Sequence, residues 1–367
     1  MKMLALSLAL AGSALAETAA PALTPEELAG LALAGNPELH FYEQQVAALP
    51  EPSGAEPPVV PQPLDFRSRE SFRSAVLNLD AGLARLYLDE FRFALAAETR
   101  LRAMEYKAAS ETAATAGDLA ERISALVKML EERPAAGVEA LIERRILEGA
   151  ALPFVRQAAE ADVRKQFLRT ELNGLLGRGE DEPLNITGNF ALPPEAPDGG
   201  ENGGALLLKI REAEIVRGLA GLDAAGEMES FTIGGWFTRE GLGGGEAAAG
   251  TTRPGTTAGS TVDGTKARFM EDARTKLARE TARRRVAVRA AREVAAAIPQ
   301  KLVENLREAS DLAERRYRVG ALSVNLLIDA HREYLDALQS RNDAVIQAWR
   351  NALDLEFLAL PHPAPPR

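Results

Sequence analysis

The sequence predicts a mainly α fold built from two repeated long helical hairpins, with a small strand portion. Three observations lead there. First, within the last helical pair, Ala309 to Leu358, the chain turns back at Tyr317-Arg318-Val319-Gly320. Beyond that turn, apolar or small residues recur at Ala330, Tyr334, Ala337, Val345, Ala348, Ala352 and Leu355. Steps of three and four mark one narrow stripe on a helix, interrupted only by Arg341. Second, Gly137 precedes Leu172 and Leu175 by the spacing at which Gly320 precedes Leu355 and Leu358, the mark of an internal repeat. Third, apolar residues keep helical spacing from about Ser68 to Arg133. A helix of that length would run roughly 100 Å, too long for the inside of a globular domain.

Composition narrows the function classes. The 367 residues could form one large or two ordinary domains, and 46% hydrophobic content permits a substantial buried surface. Aromatics are only 5% while Ala is abundant, which favours closely approaching helices over a bulky core. With no Cys there are no disulfides, thiolate metal sites or lipidated N-terminal Cys. His40, His331 and His362 lie far apart, so neither a histidine metal cluster nor a His-based catalytic centre is expected. No metal, no cofactor and no catalytic residue is assigned. The net charge of −10 disfavours a broad nucleic-acid surface, while leaving room for local patches, and no nucleic acid is assigned as a partner.

The elements follow in order. Residues 1–16 read as a secretory signal peptide: Lys2, an apolar run from Met3 to Leu10, then the small-residue site Ala14-Leu15-Ala16. The first repeat is placed at 17–177. It opens with one short helix over 25–49, with Thr24 as N-cap, Pro25 at N1 and Glu27 completing a capping box. A Pro-rich linker, Pro50 to Pro63, precedes the long helix, which ends at the turn Pro134-Ala135-Ala136-Gly137. The return helix runs to Leu176, with Gly177 as its capping glycine. Residues 178–204, rich in Gly, Pro and Asp, form the linker between repeats.

The second repeat spans 205–360. It begins with a short helix from Ala205 to Ala225 and continues into the alternating segment 230–239. There Phe231, Ile233 and Phe237 point one way and Thr232, Trp236 and Thr238 the other, a strand long enough for a tilted membrane crossing. A Gly/Ala/Thr loop over 240–264 follows, then a long helix from Thr265 to Arg318 that Pro299 should kink or open into a local turn, and a return helix ending near Leu358. Residues 361–367 form a Pro-rich tail expected to be disordered.

These features occur together in a recognisable order: the signal peptide, Asn36-Pro37-Glu38-Leu39 at the end of a first helix, a hairpin ending Leu175-Leu176-Gly177, and a second through Tyr317-Arg318-Val319-Gly320-Ala321-Leu322-Ser323 into Leu326-Leu327-Ile328-Asp329-Ala330. The chain thereby resembles the TolC-like outer-membrane efflux proteins, the metal-efflux branch among them. The resemblance implies a homotrimer in which each subunit contributes two hairpins to a hollow periplasmic α-barrel and strands to a shared membrane β-barrel. It also implies that the hairpin turns dock onto a periplasmic adaptor (membrane fusion) protein held by an inner-membrane pump. The channel is a conduit, not an enzyme. Long helices with narrow Ala-rich stripes agree with this, because they need neighbours on both sides and a ring supplies them.

The resemblance also assigns roles to residues. Asp329 falls where family members carry an acidic ring, a pore gate that would favour cations and raise the carboxyl pKa values of the set. Tyr317, Val319, Gly320, Ala321 and Ser323 match the adaptor-docking tip, with Ala136 and Gly137 as the corresponding tip of the first repeat. Phe231, Ile233, Trp236 and Phe237 are the membrane-strand residues. The cluster Arg279, Arg283, Arg284, Arg285, Arg289 and Arg292 reads as a charge-laced helix face.

Two other readings stay open on the residues. The family expects a two-strand hairpin in each repeat, yet Pro50 to Pro63 stands in the first place and only 230–239 alternates in the second. A periplasmic scaffold without a complete barrel accounts for that. An amphipathic lipid-surface protein is the third reading, and it wants broader apolar faces flanked by basic residues.

Overall fold

The computed structural model describes residues 22–48, 81–132, 138–188, 191–194, 204–225 and 262–360. The elements are β1 (Ala22–Leu23), α1 (Pro25–Gly35), α2 (Pro37–Ala47), α3 (Ala81–Glu131), α4 (Val138–Leu176), β2 (Asn185–Ile186), α5 (Ala205–Ala225), α6 (Val262–Ala297), α7 (Gln300–Arg318) and α8 (Val324–Leu358). The signal peptide, the Pro-rich linker, the turn with Ala136 and Gly137, the strand with Phe231, Ile233, Trp236 and Phe237, and the Pro-rich tail all lie outside the described residues.

The chain is mainly α, organised as two long hairpins: α3 with α4, and the broken helix α6–α7 with α8. Packing among the long helices runs α4–α3–α8–α6, so α4 and α6 are the outer members of the set. The short helices α1, α2 and α5 cover the end remote from the α7–α8 turn, packing on α3, α4 and α6. Three apolar clusters follow this plan. One gathers Leu28, Leu39, Tyr87, Leu172, Leu176, Leu207, Ile210 and Leu358 at the short-helix end. A second joins Leu119, Ile123, Leu126, Phe154, Tyr317, Leu327 and Leu335 at the hairpin end. Between them lies an Ala-rich seam of Ala97, Leu101, Met104, Ala108, Val345 and Ala348, where small side chains let α3 and α8 approach.

The single helix expected over 25–49 is two helices, and this corrects the sequence reading. Asn36 leaves the helical region at ψ 118°, because a residue before proline is pushed out of the α conformation. Its side chain then caps α2, accepting from the Leu39 N–H at 2.8 Å, while its Nδ2 donates to the Leu175 carbonyl at 2.9 Å. The Asn36-Pro37-Glu38-Leu39 segment is therefore a joint between helices, tied to the end of α4. Thr24 and Glu27 form the expected capping box at the start of α1.

At the end of α4 the chain closes in a Schellman turn: Arg178 N–H donates to the Asn173 carbonyl and Gly177 N–H to that of Gly174. Gly177 sits at φ 68°, and a Cβ there would lie 2.3 Å from the Gly35 carbonyl oxygen, so no other residue fits. The linker after it is held to the bundle. Asn173 Nδ2 donates to the carbonyls of Glu180 and Glu182, Tyr106 Oη to that of Leu184, and Trp349 Nε1 to that of Ala191. β2 pairs in parallel with β1.

Of the kink or local turn expected at Pro299, the structure has the second: the helix is interrupted between α6 and α7, with Pro299 extended at ψ 151°. By contrast Pro153, inside α4, does not end that helix. The buried face of α8 also differs from the narrow stripe expected. It is wider, taking in Val324, Leu327, Ile328, His331, Leu335 and Asn342, because α8 packs on α3, α4, α6 and α7 at once.

Candidate functional site at the hairpin end

The α7–α8 turn is a second Schellman motif. Ala321 N–H donates to the Arg316 carbonyl at 2.9 Å and Gly320 N–H to that of Tyr317 at 2.9 Å, with Gly320 at φ 71°. Arg315, Arg316 and Arg318 crowd the last turn of α7, where cations complement the helix dipole. Ser323 is the N-cap of α8 by its backbone, which accepts from Leu327 N–H, and its side chain makes no capping bond.

The structure sorts the residues assigned to this tip. Val319, Gly320, Ala321 and Ser323 are all exposed; Val319 is 75% exposed, an isolated aliphatic side chain held out at the turn. A Cβ on Gly320 would meet nothing, so the turn surface is open. Tyr317 is different: it is buried in the hairpin-end cluster and donates to Glu143 Oε2 of α4 at 3.2 Å, linking the two hairpins. Ala136 and Gly137 lie outside the described residues, so the corresponding turn of the first hairpin is not compared.

Asp329 is exposed and points away from the protomer's core, one residue beyond buried Ile328. It does not stand alone. Glu333, Asp336 and Asp343 follow at steps of four, three and seven, all exposed, so they share one face of α8. This acidic stripe was missed in the sequence, although its spacing is visible there once the apolar face is known.

Behind the tip, charged groups tie the hairpins together. Arg122 of α3 pairs with Asp118 at 2.8 Å and, across to α7, with Asp311 and Glu314. Asp311 first, then Asp118, hold the Arg122 guanidinium above its ordinary pKa. Farther along, Glu105 is buried and receives Arg102, Arg164 and Arg350 at 3.0, 3.1 and 2.9 Å, joining α3, α4 and α8. It sits in a groove of about 480 Å³ that Asn342 and Asp343 also line. The groove covers the otherwise exposed Asp343 in part, and that partial desolvation raises its carboxyl pKa.

The arginine group of α6 divides. Arg284 is engaged with Glu280 and Asp354, both at 2.9 Å, and Arg292 donates to the Pro193 carbonyl, whereas Arg279, Arg285 and Arg289 are exposed.

No family model matches this chain, and no curated protein matches it in sequence. Solved structures do match its fold. A membrane protein from Pseudomonas aeruginosa is 17% identical with a TM-score of 0.56, over 91% of this chain and 92% of that one. The CmeC outer membrane channel of Campylobacter jejuni is 11% identical with a TM-score of 0.58, over 91% and 85%. CusC, which forms a transmembrane channel, is 16% identical with a TM-score of 0.57, over 91% and 94%. The fold of this chain is that of the TolC-like outer-membrane channels.

Proposed function

We propose that this chain is one protomer of an outer-membrane channel serving a tripartite efflux system, a passive conduit rather than an enzyme. The observation that carries the reading is the state of the two outer helices. On α4, Val138, Leu141, Ile142, Leu152, Val155, Val163 and Phe167 are each more than half exposed and cluster on the face opposite buried Leu147, Phe154, Leu168 and Leu172. On α6, Val286 and Val294 stand exposed among Ala282, Ala290 and Ala297 at steps of four, four, four and three. Among the described residues, each outer helix is thus apolar on two sides and covered on only one. Covering one such side chain contributes about 1.5–3 kcal/mol when complete, so the α4 face alone is comparable with the cost of association, about 4–15 kcal/mol. Joining α4 of one copy to α6 of the next covers both faces and closes a ring, for which a homotrimer is the reading taken here.

In that ring the α7–α8 turn, with Val319, Gly320, Ala321 and Ser323, docks onto a periplasmic adaptor protein, which an inner-membrane pump holds. Asp329 with its acidic stripe faces the pore and favours cations. Among the described residues no helix is long and apolar enough to cross a membrane. Membrane contact is assigned to the strand carrying Phe231, Ile233, Trp236 and Phe237, which lies outside the described residues.

The test is fractionation of cells expressing the whole chain, followed by gel migration with and without heating. A heat-sensitive trimer in the outer-membrane fraction is expected, lost in the Leu152→Glu, Val163→Glu double variant. A stable monomer confined to the soluble periplasm overturns the reading.

A further inference from the structure

His331 is the one histidine in the described hairpin end, and it is fully buried in α8. One ring nitrogen, Nδ1, shares a 2.7 Å hydrogen bond with Ser310 Oγ of α7, itself almost completely buried. The other, Nε2, is also shut off from water and has no hydrogen-bond partner among the described residues. A neutral imidazole carries one donor and one acceptor, so Ser310 satisfies one and leaves the second orphaned whichever tautomer is present. Leu327, Ile328 and Leu335 on the neighbouring turns of α8 pack with Leu119 and Ile123 of α3 and Ala313 of α7. The ring therefore lies where three helices meet.

The charged groups around it are already committed. From α3, Asp118 and Arg122 face it; from α7, Asp311 and Glu314 do. Arg122 engages Asp118, Asp311 and Glu314, and Glu314 also receives Arg318. Burial lowers the His331 pKa; Glu314 opposes that effect and Arg122 adds to it. An imidazolium here would present a second N–H to an apolar surround, with no carboxylate left unpaired to meet it.

We propose that His331 is an acid-sensitive lock on the hairpin end: neutral, it holds α3, α7 and α8 together, and uptake of one proton from solvent releases them. The step is simple. The proton adds to the ring nitrogen that lacks one, Ser310 then accepts from Nδ1–H, and the imidazolium Nε2–H reaches water only if α8 separates from α7 and α3. The end that opens is the one carrying Asp329 and the exposed turn at Val319 and Gly320. This device belongs to the protomer's own hairpins and holds whether or not the assembly proposed above is correct.

Because the closed state binds the proton less well than the open one, opening grows as pH falls below the ordinary histidine pKa, about 6.5. It grows by up to tenfold per pH unit until the closed form itself titrates. The test is amide hydrogen exchange of the intact protein from pH 7.5 to 5, corrected for the intrinsic rate, reading peptides from α7 and α8. Wild type should lose protection there as pH falls. His331→Gln keeps a hydrogen-bonding group for Ser310 but cannot take the charge, and its profile should flatten by one proton. Exchange of the imidazole C2 hydrogen in the wild-type protein gives the second measurement, independent of any variant. His331 should titrate below the ordinary histidine range. An unchanged pH profile in the Gln variant, or titration of His331 at or above that range, overturns the proposal.

Discussion

The two ends of this helical set are held by different forces. At the short-helix end, seven helices contribute to a continuous apolar cluster, and two acidic side chains, Glu90 and Glu214, are buried beside it. Tyr87 Oη and Arg211 Nη1 both donate to Glu214, the latter at 3.0 Å. Burial pushes Glu214 up to about 7, and burial together with the Glu214 charge pushes nearby Glu90 up to about 8. At the hairpin end the apolar cluster is threaded by ion pairs around Arg122 and by neutral His331. The difference teaches that one proton does opposite things at the two ends. Acid suits the carboxyl pair and opposes the imidazole.

The largest expected effect separates the ends by packing. Leu172 and Leu327 are both fully buried, the first in the short-helix cluster and the second in the hairpin cluster. Leu172→Ala should cost about 2–5 kcal/mol in denaturant unfolding of the whole chain, as cavities in cores do. Leu327→Ala removes the same atoms from the hairpin end, where no short helix packs among the described residues. Its cost should appear first as faster hydrogen exchange in α7 and α8, with α1 and α2 still protected. Equal loss of protection everywhere in both variants would mean that the ends are one cooperative unit.

The second prediction sharpens the electrostatic side. Native Glu90 and Glu214 bind protons that an unfolded carboxyl, near pKa 4.5, releases. Stability at the short-helix end should therefore fall as pH rises from about 4.5 to about 8, by up to tenfold in the opening equilibrium per pH unit for each carboxyl. Above that window the dependence ends. Glu90→Gln should remove one proton's share of the slope, read by exchange in α5 and the first turns of α3. A flat wild-type profile between pH 5 and 8 counts against the assignment.

How legible was this in the sequence? The helices and their pairing were, because apolar residues at steps of three and four report a buried face directly: Leu83, Leu101, Leu119, Ile123 and Leu126 are all buried in α3. The turns at Gly177 and Gly320 were legible too, since only a backbone at positive φ demands glycine there. What was not legible depended on partners from distant sequence. One helix was read straight through Asn36-Pro37 to residue 49, but whether the chain breaks at Pro depends on what caps the new start, and here the anchor is Leu175, 139 residues away. The wide buried face of α8 comes from four neighbours, α3, α4, α6 and α7, which one-helix periodicity cannot count. At the candidate site, Gly320 and Val319 lie on the exposed turn, while Tyr317 faces inward to Glu143. Buried His331 had no local signal, because a His on a helix looks alike whether it faces a core or water, and the acidic steps after Asp329 become readable only once the apolar face is known.

Arg341 shows the same point at the boundary between the ends. In sequence it only interrupts an apolar stripe. In the structure it holds the break between α6 and α7. Pro299 has no N–H, and Leu302 N–H donates to the Pro299 carbonyl at 2.9 Å, so the Ile298 carbonyl loses its helical donor. Arg341 Nη1 supplies one at 3.0 Å and its Nε donates to Gln300 Oε1 at 2.7 Å. Arg341→Met keeps the aliphatic stem and removes both donors, for an expected cost of about 1–2 kcal/mol. In a Pro299→Ala background the helix can run through, and Leu302 N–H becomes available to Ile298. The same Arg341→Met change should then cost clearly less, a coupling that a double-mutant cycle of unfolding free energies measures. Strict additivity would show that Arg341 acts by packing alone and that the break needs no donor from α8.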